Sequence, residues 1–193
     1  MGFTGIMYDG SVLPYEENRE NTKAAAAMAA KTGAGVDAEL GSMGKRESGA
    51  GDGTGAEDET KIYTDPALAK RFVEETGIDA LACSFGTTHG IYLTKPKLDF
   101  NVVRKVRKLT DEIPVVMHGG SGVSREDFRE AVRAGVRKVN YFTYMDKGGG
   151  SAAEYIQTVK AGEPVFFSSV IQEAEKAMKE NVKEAMKTFA MMD

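Results

Sequence analysis

Several residue types and patterns are scarce in this chain of 193 residues, and each scarcity excludes a class of protein. The single cysteine, Cys83, cannot form an internal disulfide, and its place in an apolar run predicts an inert buried thiol rather than a nucleophile. No apolar run approaches membrane-spanning length, and no cationic start precedes a short apolar core. The net charge of −4 is mixed along the chain and does not favour nucleic-acid binding. We therefore expect a cytoplasmic protein.

The hydrophobic pattern predicts a single α/β domain over residues 1–193. Repeated strand-then-helix units imply a parallel sheet. Five such units fit either an open doubly wound sheet or five-eighths of a (β/α)₈ barrel, and periodicity alone does not choose between them. The predicted strands are 3–8, 36–40, 80–85, 114–117 and 138–143, and the predicted helices are 16–31, 66–76, 100–110, 125–134, 152–160 and 168–192.

Capping signals mark the ends of several predicted helices. The candidate N-caps are Thr64 or Asp65, then Asp99, Ser124 and Ser151, the last in a capping-box pattern with Glu154, and the candidate C-terminal stops include Gly77 and Gly135. The last helix, 168–192, is amphipathic, and its apolar stripe is expected to fill the core. The stripe consists of Ile171, Ala174, Met178, Val182, Ala185 and Phe189.

The segment 41–61 differs in composition from the rest of the chain, because it is rich in glycine and acidic residues. Such a segment cannot bury a core and is expected to be mobile. A long loop without secondary structure inside a compact domain is usually functional, often as a lid over a site. The alternative is a disordered surface insertion.

Only two histidines occur in the chain, and both directly follow a predicted buried strand and precede a glycine. His89 ends the sequence Gly-Thr-Thr-His of residues 86–89, and His118 begins His-Gly-Gly-Ser of residues 118–121. Ligands of α/β folds bind at the carboxyl ends of parallel strands. Two imidazoles there, beside loops that expose backbone N–H groups, suggest a metal next to a phosphate.

Together these motifs resemble the metal-dependent class II ketose-bisphosphate aldolases, which include the fructose- and tagatose-bisphosphate aldolases. Each motif is weak alone, but they occur in the family's order and spacing from residue 3 to about residue 143. The matching segments are 7–11 (Met-Tyr-Asp-Gly-Ser), 16–18 (Glu-Glu-Asn), 36–41 (Val-Asp-Ala-Glu-Leu-Gly), 64–66 (Thr-Asp-Pro), 86–90 (Gly-Thr-Thr-His-Gly), 96–100 (Pro-Lys-Leu-Asp-Phe), 114–122 (Pro-Val-Val-Met-His-Gly-Gly-Ser-Gly) and 138–140 (Lys-Val-Asn).

The resemblance implies a partial (β/α)₈ TIM barrel with a C-terminal amphipathic helix. It also implies reversible cleavage of a ketose 1,6-bisphosphate to dihydroxyacetone phosphate and an aldehyde. A divalent metal, usually Zn²⁺, alone or with a monovalent cation, is held by three histidines in this family and acts as a Lewis acid. His89 and His118 match two of these ligands, and Glu39 matches a carboxylate that binds an alternative metal position in some members.

The resemblance also implies roles in proton transfer and substrate binding. Glu47, on the loop 41–61, matches a glutamate that transfers a proton at the dihydroxyacetone phosphate carbon, and closure of the loop would raise the pKa of that carboxylate. An ordinary solvated loop acid is the alternative. The predicted substrate and phosphate positions are Gly90, Gly119, Gly120, Ser121, Asn140 and Thr143.

The sequence departs from the family pattern at several places. No third histidine is present, and the first unit here matches the fourth of the barrel, so the chain is expected to be a C-terminal portion that lacks the catalytic aspartate. Leu93 stands where the family often has a phosphate-contacting lysine, with Lys95 nearby as a substitute. Phe142 replaces a small or acidic residue, so substrate choice is expected to differ.

Three hypotheses follow from the sequence. The first is a class II aldolase-type lyase acting on a phosphosugar, as a homo-oligomer or in association with the missing N-terminal part. The second is an inactive phosphate- or metal-binding remnant of such an enzyme. The third is an unrelated doubly wound phosphosugar-binding domain.

Overall fold

A computed structural model describes residues 2–41, 45–46, 63–87, 89–90, 96–159 and 162–192. At positions 45, 46, 89, 90, 157 and 159 it describes the backbone alone. Among the described residues, no helix is long and apolar enough to cross a membrane.

Five parallel strands form the main sheet, in the order β1-β2-β4-β6-β7. Two further short strands, β3 and β5, pair in parallel with each other. The strands are β1 (Gly5–Tyr8), β2 (Gly35–Leu40), β3 (Lys45–Arg46), β4 (Ala80–Cys83), β5 (His89–Gly90), β6 (Val115–Met117) and β7 (Val136–Val139). The helices are α1 (Tyr15–Ala30), α2 (Pro66–Thr76), α3 (Phe100–Leu109), α4 (Arg125–Ala134), α5 (Thr143–Val159) and α6 (Phe167–Phe189). The predicted α/β class with a parallel sheet is confirmed.

The ends of three helices follow the predicted capping signals. Asp65, Asp99 and Ser124 each accept a hydrogen bond from a backbone N–H in the first turn of α2, α3 and α4, at 2.8, 2.9 and 3.1 Å. Such bonds satisfy N–H groups that have no partner within the helix. Gly77 follows α2 with φ 69°, a left-handed conformation that glycine adopts without steric cost. The sequence therefore predicted these boundaries for identifiable local reasons.

The fifth strand and the helix after it differ from the prediction. β7 ends at Val139 and α5 begins at Thr143, so Thr143 opens a helix instead of ending a strand. Ser151 lies inside α5, and the predicted capping box there is wrong. Gly149, before Ser151, allows close helix contact instead. A Cβ on Gly149 would lie 3.0 Å from Met178 Cγ on α6.

The apolar stripe of α6 fills less of the core than expected. Phe189 packs against the core, with ring centroids 4.9 Å from Phe128 and 6.0 Å from Tyr141. By contrast, Ile171 is 47% exposed and Met178 is half-buried. The reason is that α6 packs mainly along α5, and much of its stripe borders a surface groove instead of the sheet.

The sheet has an outer face toward the helices and an inner face on the opposite side. Outer-face side chains are apolar and belong to the main core; they are Val36, Ala38, Leu40, Leu81, Cys83, Val115, Met117 and Val136. Side chains of one strand alternate between the two faces, and partners in register share a face. The inner face therefore carries Asp37, Glu39, Ala82, Val116 and Lys138.

An ion pair across the inner face shows that the sheet is curved. Lys138 Nζ on β7 lies 2.7 Å from Asp37 Oδ2 on β2, although β4 and β6 lie between these strands. In a flat sheet, three strand spacings would separate the two backbones by about 14 Å. Curvature toward the inner face brings the side chains together, as in an arc of a barrel. The partial barrel is therefore favoured over an open, flat doubly wound sheet.

Candidate active site

The carboxyl ends of β2, β6 and β7 bring together one imidazole and two polar side chains. His118 Nδ1 lies 3.2 Å from Glu39 Oε2, and His118 Nε2 lies 2.9 Å from Asn140 Nδ2. The side chains of His118 and Glu39 are only 6% and 2% exposed. A carboxylate and an imidazole buried this deeply are uncommon unless they are paired or bind a ligand. This cluster of Glu39, His118 and Asn140 is the candidate site.

A β-bulge at Arg137 directs Asn140 into the candidate site. Val115 pairs with Val136, but the next residue, Val116, pairs with Lys138, so β7 contains one extra residue. Arg137 leaves the ladder, and its guanidinium donates hydrogen bonds to the carbonyls of Val132 and Val136, both at 2.9 Å. A bulge changes which face the later residues take. Lys138 and Asn140 therefore lie on the inner face, beside His118.

Asn18 on α1 holds the backbone of Glu39. Its Nδ2 donates a hydrogen bond to Glu39 O at 3.0 Å, and its Oδ1 accepts one from Thr22 Oγ1 at 3.1 Å. A Cβ on Gly10 would come within 2.3 Å of Asn18 Oδ1, so Gly10 leaves room for this amide. The sequence motif contained Asn18, but no role was predicted for it. An asparagine with a threonine one helical turn later is the sequence signal that could have indicated it.

The residues of the candidate site suit a divalent metal. Glu39 Oε2 is buried and makes no hydrogen bond to any described residue, despite its proximity to His118 Nδ1. Such an orphaned acceptor is costly unless a cation binds it. Imidazole nitrogen and carboxylate oxygen are both zinc ligands. Among the side chains that the structure describes, no group of three or more such ligands forms a metal site.

The predicted phosphate-binding residues lie beside the N-terminus of α5. Ser121 is buried, and its Oγ accepts a hydrogen bond from Tyr144 N at 3.3 Å. Thr143 is the first residue of α5, and the positive end of the helix dipole there favours an anion. Gly119 has φ 65°, and a Cβ on Gly120 would lie 3.0 Å from the Phe128 ring. At Gly120 the chain thus passes so close to α4 that a side chain would crowd the Phe128 ring.

The backbone of the predicted loop meets the strand that contains His89. Lys45 and Arg46 pair with His89 and Gly90, which places β3 at the same edge as β5. The imidazole of His89 and the residues Glu47, Leu93 and Lys95 lie outside what the structure describes. The predicted approach of the two imidazoles and the mobility of the loop 41–61 therefore stay predictions.

Thr64 ties the end of that loop to the sheet. Its Oγ1 donates to Leu40 O and accepts from Ser84 N, both at 2.8 Å. Tyr63 OH donates to Lys97 O at 2.9 Å. The predicted alternative of Thr64 as the cap of α2 is wrong, because Asp65 takes that role. Thr64 instead holds the ends of β2 and β4 together next to the candidate site.

Cys83 takes no part in the candidate site. It lies fully buried on the outer face of β4, and burial raises the pKa of its thiol to about 12. A thiol in that state is a poor nucleophile and a poor metal ligand at neutral pH. The structure thus gives the physical reason for an unreactive cysteine.

Comparison with known proteins identifies the family. The family described as fructose-bisphosphate aldolase class-II matches residues 1–193. Over 192 residues the chain is 36% identical to the Escherichia coli K12 protein YdjI, a match that covers 97% of this chain and 63% of that protein. The chain thus spans less than two thirds of the length of this relative.

Solved structures agree with this match. The crystal structure of the YdjI aldolase from Escherichia coli K12 gives a TM-score of 0.79 at 34% identity, covering 97% of this chain and 61% of that one. A putative fructose-1,6-biphosphate aldolase from Coccidioides immitis gives 0.77 at 26% identity, covering 96% and 62%. Fructose-bisphosphate aldolase from Campylobacter jejuni gives 0.77 at 24% identity, covering 98% and 61%, a likeness of fold alone. The chain therefore belongs to the class II fructose-bisphosphate aldolase family.

Proposed function

We propose that this chain acts in the reversible, metal-dependent aldol cleavage of a ketose 1,6-bisphosphate to dihydroxyacetone phosphate and an aldehyde. The observation that carries the proposal is the buried His118, whose ring nitrogens face Glu39 and Asn140. Membership of a family of aldolases, which are lyases, supports the reaction class.

Zn²⁺ is the proposed cofactor, and His118, Glu39 and His89 are the residues proposed to hold it. Bound zinc would polarise the substrate carbonyl and stabilise the enediolate that forms on cleavage. Glu39 supports this assignment because its buried Oε2 has no hydrogen-bond partner in the part of the chain that the structure describes. Asn140 fixes the orientation of the His118 ring through Nε2, and such supporting contacts commonly set metal affinity.

The remaining roles belong to substrate binding and proton transfer. The N-terminus of α5, with Ser121 and Thr143, is proposed to bind a substrate phosphate, supported by the helix dipole and by the glycines beside it. Glu47 is proposed to transfer the proton at the dihydroxyacetone phosphate carbon. The pairing of β3 with β5 supports this role, because it brings the neighbouring residue Arg46 next to Gly90.

An inactive metal- and phosphate-binding remnant is the second candidate function. The chain has two histidines, whereas the family resemblance implies three, and the match spans about three fifths of its relatives. A site with two histidines and one carboxylate would hold zinc more weakly. Loss of a proton-transfer group typically lowers the rate by about 10²–10⁴-fold. We therefore expect slow turnover by the 193-residue chain alone.

We further propose that additional βα units, in the same or another polypeptide, complete the barrel, or that copies of the chain associate. Within the described residues, β1 and β7 each pair on one side only. Such open sheet edges favour association. Light scattering measures the mass of the purified chain in solution. A strictly monomeric species with full aldolase activity would contradict the proposed association. A cytoplasmic location is proposed from the single buried thiol.

The experiment that tests the function combines zinc titration with an activity assay. The metal-stripped chain would be titrated with Zn²⁺ by calorimetry, and cleavage of fructose 1,6-bisphosphate would be followed by the release of dihydroxyacetone phosphate. We expect His118→Ala to abolish both, whereas Glu130→Gln, in an ion pair between α4 and α3, should change neither. Zinc binding without cleavage would favour the remnant, and absence of zinc binding would overturn the metal site.

A further inference from the structure

Two acidic residues of β2 and one basic residue of β7 share the inner face of the sheet. Asp37 and Glu39 are two residues apart, so their side chains take the same face. Strand registry places Glu39, Ala82, Val116 and Lys138 in one row across the sheet. By registry alone, the nearest row partner on β2 for Lys138 is Glu39 and not Asp37.

The lysine nevertheless pairs with the other carboxylate. Lys138 Nζ lies 2.7 Å from Asp37 Oδ2, and among the described residues no other carboxylate oxygen lies within ion-pair distance of it. Ala82 and Val116, which lie between the two strands in the same row, are fully buried. The Glu39 carboxylate lies next to His118 instead, and its Oε2 has no hydrogen-bond partner among the residues described.

This choice of partner matters because a lysine side chain is flexible and strongly charged. The Lys138 side chain is 48% exposed, so it has room to change rotamer, while the side chain of Asp37 is 12% exposed. Among the described side chains no lysine or arginine pairs with Glu39, so its buried carboxylate would attract a mobile ammonium group. An ammonium group bound there would compete with any metal ion for the same oxygen.

We propose that Asp37 is a positioning residue, which holds the Lys138 ammonium group away from Glu39 and thereby leaves that carboxylate available to the metal. The inference rests on the proposed function, since it concerns the same metal site. Asp37 acts through the distribution of charge on the inner face and touches neither metal nor substrate.

A double-mutant cycle tests this role. Asp37→Asn is expected to lower the Zn²⁺ affinity of the metal-stripped chain by about 10-fold or more, the size of effect seen for residues that support metal ligands. Lys138→Met should leave the affinity within about threefold of wild type, because it removes the competing charge. The double variant, Asp37→Asn with Lys138→Met, is expected to regain the affinity of Lys138→Met alone. Glu130→Gln, which breaks the ion pair with Arg104 between α3 and α4, is the matched control.

The rescue distinguishes charge competition from a purely structural ion pair. If the pair only braced the curved sheet, both single variants and the double variant would lose affinity together, and that result would overturn the proposal. Thermal unfolding of each metal-free variant, followed by circular dichroism, checks that all remain folded. Wild-type chain that binds no Zn²⁺ would refute the proposed function itself, whereas normal binding by wild type and by Asp37→Asn would refute only this inference.

Discussion

Glu39→Gln should stabilise the metal-free chain while it removes the response to zinc. Glu39 is 2% exposed, and within the described parts of the chain its Oε2 makes no hydrogen bond. A buried polar atom without a partner costs about 1–3 kcal/mol, and more when it is charged. Glutamine keeps the shape and removes the charge. The lost contact with His118 Nδ1 at 3.2 Å offsets part of this gain. We expect a net stabilisation of about 1 kcal/mol, or about 2–4 °C in Tm for a chain of this size.

Zinc should reverse the order of stability of the two proteins. At a zinc concentration about 100-fold above Kd, wild type gains about 2.7 kcal/mol, whereas a variant that binds no metal gains nothing. Urea unfolding in EDTA and in zinc, at about pH 8 and therefore above the ordinary histidine pKa of about 6.5, measures both effects. The reasoning is wrong if Glu39→Gln is less stable than wild type by more than about 1 kcal/mol in EDTA, or if zinc stabilises both equally.

Three further outcomes are expected. Cys83 should resist thiol reagents in the native chain until urea unfolds it. Burial raises the pKa of its thiol to about 12, so its contribution to the free energy of unfolding should be fully present below about pH 8.5 and lost as the pH rises toward 12. Gly86→Ala should cost at least about 3 kcal/mol in urea unfolding, because φ is 100° and the new Cβ would lie 2.0 Å from Lys97 O. Gly149→Ala should change the free energy of unfolding by less than about 1 kcal/mol. The flexible Met178 side chain can move away from the new Cβ of residue 149, and alanine favours the helix by about 1 kcal/mol relative to glycine. A large loss at Gly149, or none at Gly86, would contradict the packing described.

The elements that the sequence predicted well are those specified by local signals. Asp65, Asp99 and Ser124 satisfy N–H groups within a few residues of themselves, so the pattern that predicts each helix start is contained in the segment itself. The start of α5 was missed because its glycines are suited to contact with α6, which no local window contains. The apolar stripe of α6 likewise showed periodicity but not which element it would meet.

The candidate site was predictable in part for the same reason. His118, Glu39 and Asn140 follow strands, and family resemblance indicated them directly. Asp37 and Lys138 were not assigned roles, because their meeting depends on sheet curvature and on the extra residue in β7. The pairing of residues 101 positions apart in sequence is a property of the assembled sheet.

The bulge at Arg137 makes the pairing of β7 as important as its composition. If β7 instead paired residue by residue beyond Val136, Arg137 would lie opposite Val116 and Lys138 opposite Met117, and every side chain from Arg137 onward would change faces. Val139 would then point toward His118, and the amide of Asn140 would point into the apolar layer beneath the helices. A register slip that absorbed the bulge would therefore reverse the polarity of the whole end of the strand. Deletion of Arg137 should instead leave the faces unchanged, because Val136 would stay opposite Val115 and Lys138 opposite Val116.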